Sequence, residues 1–513
     1  MRCWGLMFMR KNEKDDLTTR ACVIILAVAV LTITLCLYSN GISGNDFWWH
    51  IKVGEWVAEH RSVPTTDIFS WYGVEHEIPW TAHEWLSDLV FYGIYSALGS
   101  VGVFLFCELA ALLMIGLVFV RVKRYIEQNF AFCGIFLTLF AVVVSLFFYG
   151  RPHIFGFFLV FAELWILYDF ANDQTDKKIF FVPLLAVLWS NLHGGSSSLS
   201  YILCLIFLLS GSFNFSFGRV ESKRFDKRAL LTLVAVTLCT IVGILINPVG
   251  LKVLTYPFIN LSDSISMSTI SEWQSPDAKQ IGQLILYFMP MLLMSAGIVC
   301  GKKSVRLVDI LVMIAFMFLF FRSVRFSILW YISASFYAFD YIPEIKVKKV
   351  TKLYEKLSVL ALLLLGISFC TVLGTKTVQM LDNGEIISKA MSDEAVAAVK
   401  DDRPERIFND YNLGETLIAN NIPVFFDARA DLYASAGLLA DGTSLEFLQC
   451  VGANSQELNG DIGALIEKYS FDALLILKSR PLYAYLISHP ERFEVVYEDD
   501  DVGYFRVKQP TDQ

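Results

Sequence analysis

Two titratable side chains four residues apart, Asp46 and His50, lie in the stretch Asn45-Asp46-Phe47-Trp48-Trp49-His50, just after the first long apolar run of the chain. Residues four apart share a helix face, so a helical backbone here sets a carboxylate beside an imidazole. Ionisable groups at a membrane boundary are costly and mark functional sites. An aromatic belt at the headgroup level accounts for Trp48 and Trp49. It does not account for Asp46 and His50. The loop they open runs through Pro64-Thr65-Thr66-Asp67-Ile68-Phe69-Ser70 and closes on Trp80-Thr81-Ala82-His83-Glu84-Trp85, at the mouth of the next apolar run.

Further polar residues interrupt the apolar runs: Arg151 and His153, Asn191 and His193, Asn247, Glu272 and Trp273, Arg322 and Arg325. Each alone has an ordinary structural reading. Asn-Pro and Gly-Gly punctuate helix ends, an interfacial Arg snorkels to headgroups, and His153 reads as a packed cap. Taken together, acids, imidazoles and guanidiniums fall on one set of connections, and lysines and arginines on the other. Such a set suits transfer of a sugar from a polyprenyl-phosphate donor, which needs a base for the acceptor hydroxyl and cations for the departing phosphate.

Asp46 is the expected general base, with Glu84 the second carboxylate at the reaction centre. Arg151, Arg322 and Arg325 are expected to hold the phosphate. Trp49, His50, His83, His153, Asn191, His193, Glu272 and Trp273 are expected to line the pocket. The one candidate cofactor is a divalent metal, which would draw on Asp46, His50, Glu84 and His193, a set that without distances is a weak metal signal. The expected partners are a lipid-linked sugar, membrane lipid and an exported acceptor. Nucleic acid is not among them, because the basic residues sit in short clusters that topology explains.

The elements that must carry these groups are membrane helices. Of the 513 residues, 55% are hydrophobic and 18% charged, against roughly 25% charged in soluble domains, and the mean hydropathy is +0.53. Apolar runs at 21–39, 86–120, 131–149, 154–171, 179–192, 198–214, 229–247, 281–300, 306–321, 326–342 and 357–374 predict a polytopic α-helical membrane protein of about eleven spans. Every second connection is basic: Arg121 to Arg124, Lys177-Lys178, Arg219 to Arg228, Lys302 to Arg306, and Lys346 to Lys356. By the positive-inside rule the N-terminus (1–20) is then cytoplasmic, in the inner membrane. No small-residue cleavage site closes the first run, which reads as an uncleaved span.

The domain of 21–374 thus carries a large outward loop at 40–85, and 375–513 forms an extracytoplasmic α/β domain. Within that tail, 424–426 and 473–477 read as buried strands, 461–469 as a helix, and 493–497 with 503–507 as a terminal hairpin. Asp427, Arg429 and Asp431 read as a structural ion-pair turn. The ten cysteines show neither a disulfide framework nor a zinc pattern.

The motifs Asp46 to His50, Gly54, Pro64, Asp67 to Ser70, Trp80, His83 to Leu86, Arg151-Pro152, Asn191 to Gly195, Asn247 to Gly250, Glu272-Trp273 and Phe426 to Asp431 resemble a bacterial GT-C-like membrane family of undefined substrate. Through it the chain resembles the GT-C superfamily of polyprenyl-phosphate-dependent glycosyltransferases. The resemblance implies that Asp46 stands where such enzymes keep their loop-one carboxylate. Many of them have two adjacent acids there or an Asp-x-Asp; here the neighbours are Asn45 and Phe47, which leaves catalysis by Asp46 with arginines on the phosphate as the simpler scheme. Two other classes stay open. A transporter or flippase would use buried acids such as Glu108, Glu163 and Asp309, and a non-catalytic protein would scaffold a cell-envelope assembly.

Overall fold

A computed structural model describes residues 46–262, 271–342, 390–429, 432–433 and 461–508. These fall into two compact units, one within Ser100–Ile246 and Glu272–Ile386, the other within Ile42–Gly99, Asn247–Ser271 and Ile387–Gln513.

The first unit is a helical bundle. Among the described residues, five helices are long and apolar enough to cross a membrane: Trp85–Tyr125 (broken at Gly99, φ +63°, with its residues up to Gly99 in the second unit), His153–Asn172, Gly194–Gly211, Lys227–Ile244 and Ile281–Cys300. Stripes of exposed apolar residues run along them at helical spacing, for example Val101, Leu105, Leu109 and Leu113. That is the pattern of a lipid-facing surface. The expectation of eleven spans is corrected here. The runs at 21–39 and 357–374 lie outside the described residues. The runs at 179–192, 306–321 and 326–342 give helices of only 11, 16 and 11 residues, Val182–Leu192, Leu307–Arg322 and Ser327–Tyr337, where a span needs about 20. The run at 131–149 yields the short apolar helix Phe132–Phe147.

His193 (φ −151°) and Ser323 (φ −156°) leave the helical region and end two of these helices where their apolar runs end, and the run at 179–192 opens in the 3-10 turn Lys177–Phe181. Ser327–Tyr337 is apolar all round because every one of its residues is buried in protein.

At one end of this bundle the basic connections touch. Arg219 donates to the carbonyls of Lys303 and Val299, and strand Val220–Ser222 pairs with Val305–Arg306. Arg306 reaches Asn172 Oδ1 at 2.9 Å, and Lys303 donates to the Asp340 carbonyl. The basic connections among the described residues therefore lie at one physical end of the bundle; Lys346 to Lys356 is outside the described residues.

The second unit is built on a four-stranded sheet in the order Ile407–Asn409, Ala473–Leu477, Val502–Val507, Phe493–Glu498. The first pair is parallel and the other two are antiparallel. The expected strand at 473–477, the terminal hairpin and the helix Ile462–Tyr469 are all present. Val424 to Phe426 is buried, but instead of joining the sheet it makes a single parallel bridge from Val424 to Ser70. Trp71 completes that seam: its backbone N–H donates to the Val424 carbonyl, and its indole N–H reaches the Ile407 carbonyl at 3.0 Å. Loop residues near 70 thus share a hydrophobic core with the C-terminal sheet, Trp49, Trp80 and Phe426 among them.

Candidate functional site

Phe47–His60 is a helix with Asp46 at its N-cap and His50 in its first turn. The His50 N–H donates to the Asp46 carbonyl at 3.2 Å, which confirms one shared turn. Asp46 is half-buried, and its Oδ1 accepts the Trp49 indole N–H at 3.3 Å. Glu415 Oε1 satisfies the Trp48 backbone N–H at 3.0 Å, supplying the end-capping acceptor that the Asp46 side chain does not.

His50 is 2% exposed and lies between two acids of the Trp85–Val122 helix and its approach. Its Nδ1 is 2.6 Å from Asp88 Oδ1, and its Nε2 is 4.0 Å from Glu84 Oε2. His83 Nε2 lies 3.9 Å from the other Glu84 oxygen, and its ring packs on Tyr256 at 4.3 Å. Its two ring nitrogens thus face two acids, and the protonated ring bridges them. An imidazole hydrogen-bonded to a buried acid is fixed in orientation, as a positioned proton-transfer group requires. Asp88 is fully buried, and its Oδ2 makes no hydrogen bond among the described residues.

Gly54 makes this contact possible. A Cβ there would stand 2.2 Å from the Asp88 carbonyl oxygen and 2.6 Å from the Tyr92 Cβ. One helical turn earlier on the same face sits His50, so the bare backbone at Gly54 lets the imidazole reach Asp88. Gly54→Ala is expected to cost about 1–3 kcal/mol by overpacking, seen as a lowered midpoint in thermal unfolding of the full chain. An unchanged midpoint would show that the two helices part freely there.

A second cluster, in the bundle, gathers guanidiniums. Arg151 Nη1 lies 2.8 Å and Arg325 Nη1 3.6 Å from Glu272 Oε1, and the Tyr149 hydroxyl donates to Glu272 Oε2 at 3.0 Å. The Ser323 hydroxyl bonds the Glu272 carbonyl. Arg325 also lies over the Trp273 ring at 5.6 Å, and Arg151 over Tyr149 at 5.0 Å. Burial raises the Glu272 carboxyl, but Arg151 and Arg325 outweigh it and hold the group at about 2. Its stabilising contribution is therefore complete above its ordinary value of 4.5 and is lost as pH falls through about 2. Two guanidiniums share the Glu272 carboxylate. They are held in place, as gripping an oxyanion requires.

The remaining expected site residues are distributed through the bundle. His153 is buried and bonds the Phe147 carbonyl at 2.5 Å, closing the end of the Ile126–Phe147 helix as the cap its sequence context suggested. His193 Nδ1 meets the Ser196 hydroxyl at 2.6 Å and sits against Gly156. Asn191 bridges two helix ends, donating to the carbonyls of Val187 and Ile246 at 2.8 Å. Arg322 is exposed at its helix terminus, where its carbonyl lies 3.5 Å from the Ser275 hydroxyl. The four residues named for a metal divide between the units, with His193 in the bundle. Among the described residues no group of three or more His, Cys, Asp or Glu stands at metal-binding spacing.

Sequence reading missed Asp88, Tyr149 and Glu415. For Asp88 a signal existed: it follows Glu84 by four residues, on the face that meets His50. No protein-family model matches the chain, and no curated protein matches it.

Proposed function

We propose that this chain is a membrane glycosyltransferase of the GT-C type, moving a sugar from a polyprenyl-phosphate carrier to an exported acceptor at the outer face of the membrane. The reading rests on one observation: a half-buried carboxylate, Asp46, shares a helical turn with an imidazole pinned by the buried Asp88 at 2.6 Å. Asp46 takes the acceptor hydroxyl's proton. The Asp88–His50–Glu84 chain fixes that helix and holds charge beside the carboxylate. Arg151 and Arg325, ordered by Glu272, suit the donor phosphate. Arg322 is assigned to the same role from its place in the sequence. The acidic and aromatic connections are the outward ones, and the clustered basic connections face the cytoplasm.

A transport reading has its own observation. Glu163 is buried in the His153–Asn172 helix, with Cys204 Sγ 3.8 Å from Oε1. Glu163 Oε2, Ser200 Oγ and Thr240 Oγ1 make no hydrogen bond among the described residues. Buried acids of that kind mark ion paths.

Vesicles holding the full chain separate the two readings. A panel of polyprenyl-phosphate hexoses labelled in the sugar is supplied on one side. Transfer predicts label on a water-soluble acceptor together with free polyprenyl phosphate. Label that crosses the bilayer still joined to its lipid supports transport and overturns the transferase reading.

A further inference from the structure

Arg121 lies at the basic end of the bundle, in the last turn of the Trp85–Val122 helix, and is 8% exposed. Its guanidinium carbon stands 4.2 Å from the centre of the Phe336 ring, 4.4 Å from Tyr168 and 5.5 Å from Trp165. Aromatic faces stabilise the cation, but they leave its N–H groups unused. Nε and Nη2 are both buried, and neither makes a hydrogen bond among the described residues. These two nitrogens form one edge of the guanidinium, the edge that grips two oxygens of a carboxylate or phosphate side by side.

Three other arginines at this end are matched. Arg124 donates to the Tyr168 hydroxyl at 3.1 Å and pairs with Asp340 at 3.4 Å. Arg306 pairs with Asp309 at 2.9 Å, and Arg219 is spent on backbone carbonyls. The acids here are thus taken: Asp340 by Arg124 and Tyr125, and Asp309 Oδ2 by Arg306 and Tyr341. Asp309 Oδ1 makes no hydrogen bond among the described residues, but its charge is balanced by Arg306. Arg121 remains as an uncompensated buried cation, which is expensive unless an anion meets it. A further donor is at hand. Tyr337, its ring 5.8 Å from that of Tyr168, is buried and its hydroxyl has no partner among the described residues. Val120, the neighbour of Arg121, and Leu113, two turns earlier on the same helix, are exposed apolar residues.

We propose that the free edge of Arg121, with the Tyr337 hydroxyl, binds a phosphate-type oxyanion at the basic end of the bundle, either a lipid headgroup or a small phosphate. The proposal is independent of the transfer reaction.

The test is thermal unfolding of the purified full chain with phosphatidylglycerol, with inorganic phosphate, and with a phosphate-free glucosyl diacylglycerol. Phosphatidylglycerol is expected to raise the wild-type midpoint, and the phosphate-free lipid is not. A rise with inorganic phosphate as well identifies a small-anion site, whereas a rise with the lipid alone identifies a headgroup site. Arg121→Met should abolish the ligand-induced rise. Arg121→Lys, which keeps the charge but not the two-pronged edge, should weaken binding about tenfold or more, and it carries the comparison if the Met variant does not fold. No rise with either phosphate source, equal rises with the phosphate-free lipid, or the same rise in both variants would overturn the proposal.

Discussion

Asp46→Asn is expected to slow sugar transfer by about 10²–10⁴-fold, the contribution of a positioned general base, without lowering the amount of folded protein. The substitution keeps the size of the side chain and the acceptor oxygen for the Trp49 indole at 3.3 Å, and the His50 N–H is satisfied by the Asp46 backbone, not its side chain. What it removes is the proton-accepting carboxylate. The donor phosphate should bind as before, so the loss appears in kcat with KM for the donor little changed. Initial rates across donor concentrations, with the folded fraction checked by gel filtration, measure this. A variant that retains full kcat would remove Asp46 from the chemistry.

Arg429→Ala is expected to destabilise the second unit by about 3–5 kcal/mol, because it strands buried carboxylates. Arg429 grips Asp427 with Nε at 2.9 Å and Nη2 at 2.6 Å, and reaches Asp67 Oδ1 with Nη1 at 2.6 Å. Its guanidinium lies over Phe69 at 4.9 Å and Trp80 at 4.7 Å, and the Tyr433 hydroxyl donates to Asp427. These charged groups are almost wholly excluded from solvent. Burial raises the Asp67 carboxyl, yet Arg429, with Ser70 and the Phe69 N–H, brings it below its ordinary value. A carboxyl lowered in the folded state stabilises fully above its unfolded value near 3.8 and loses that contribution as pH falls through the lowered one. The wild type should therefore weaken in acid along a limb that Asp67→Asn flattens. Denaturant unfolding followed by tryptophan fluorescence reads both effects. A midpoint in Arg429→Ala equal to that of the wild type would show the network to be energetically idle.

The turn containing Asp427 and Arg429 was legible in sequence because two opposite charges two residues apart are local. Its third member was not. Asp67 lies 362 residues away from Arg429 in the chain, and nothing in either motif names the other. Asp431 lies outside the described residues. The same contrast holds at the candidate site. The four-residue spacing of Asp46 and His50 was readable as one helical face. Asp88 was legible only through its four-residue spacing from Glu84, because a single acid in the first turn of a strongly apolar run barely alters its hydropathy. Span number was overestimated for a related reason: hydropathy records what a segment avoids, and Ser327–Tyr337 avoids water inside protein as fully as a lipid-facing helix does. The clustering of basic residues is a pattern of the whole chain and not of one segment, and those connections that fall among the described residues lie at one end of the bundle.

The most direct test of Asp46 as proton acceptor is the pH dependence of the single-turnover transfer rate in the wild type and in Asp46→Asn. A base must be ionised to act, so the wild-type rate should climb with pH through the titration of that carboxylate. The residual rate of Asp46→Asn should lack this limb. An identical acidic limb in both proteins would place the titrating group elsewhere and contradict the role assigned to Asp46.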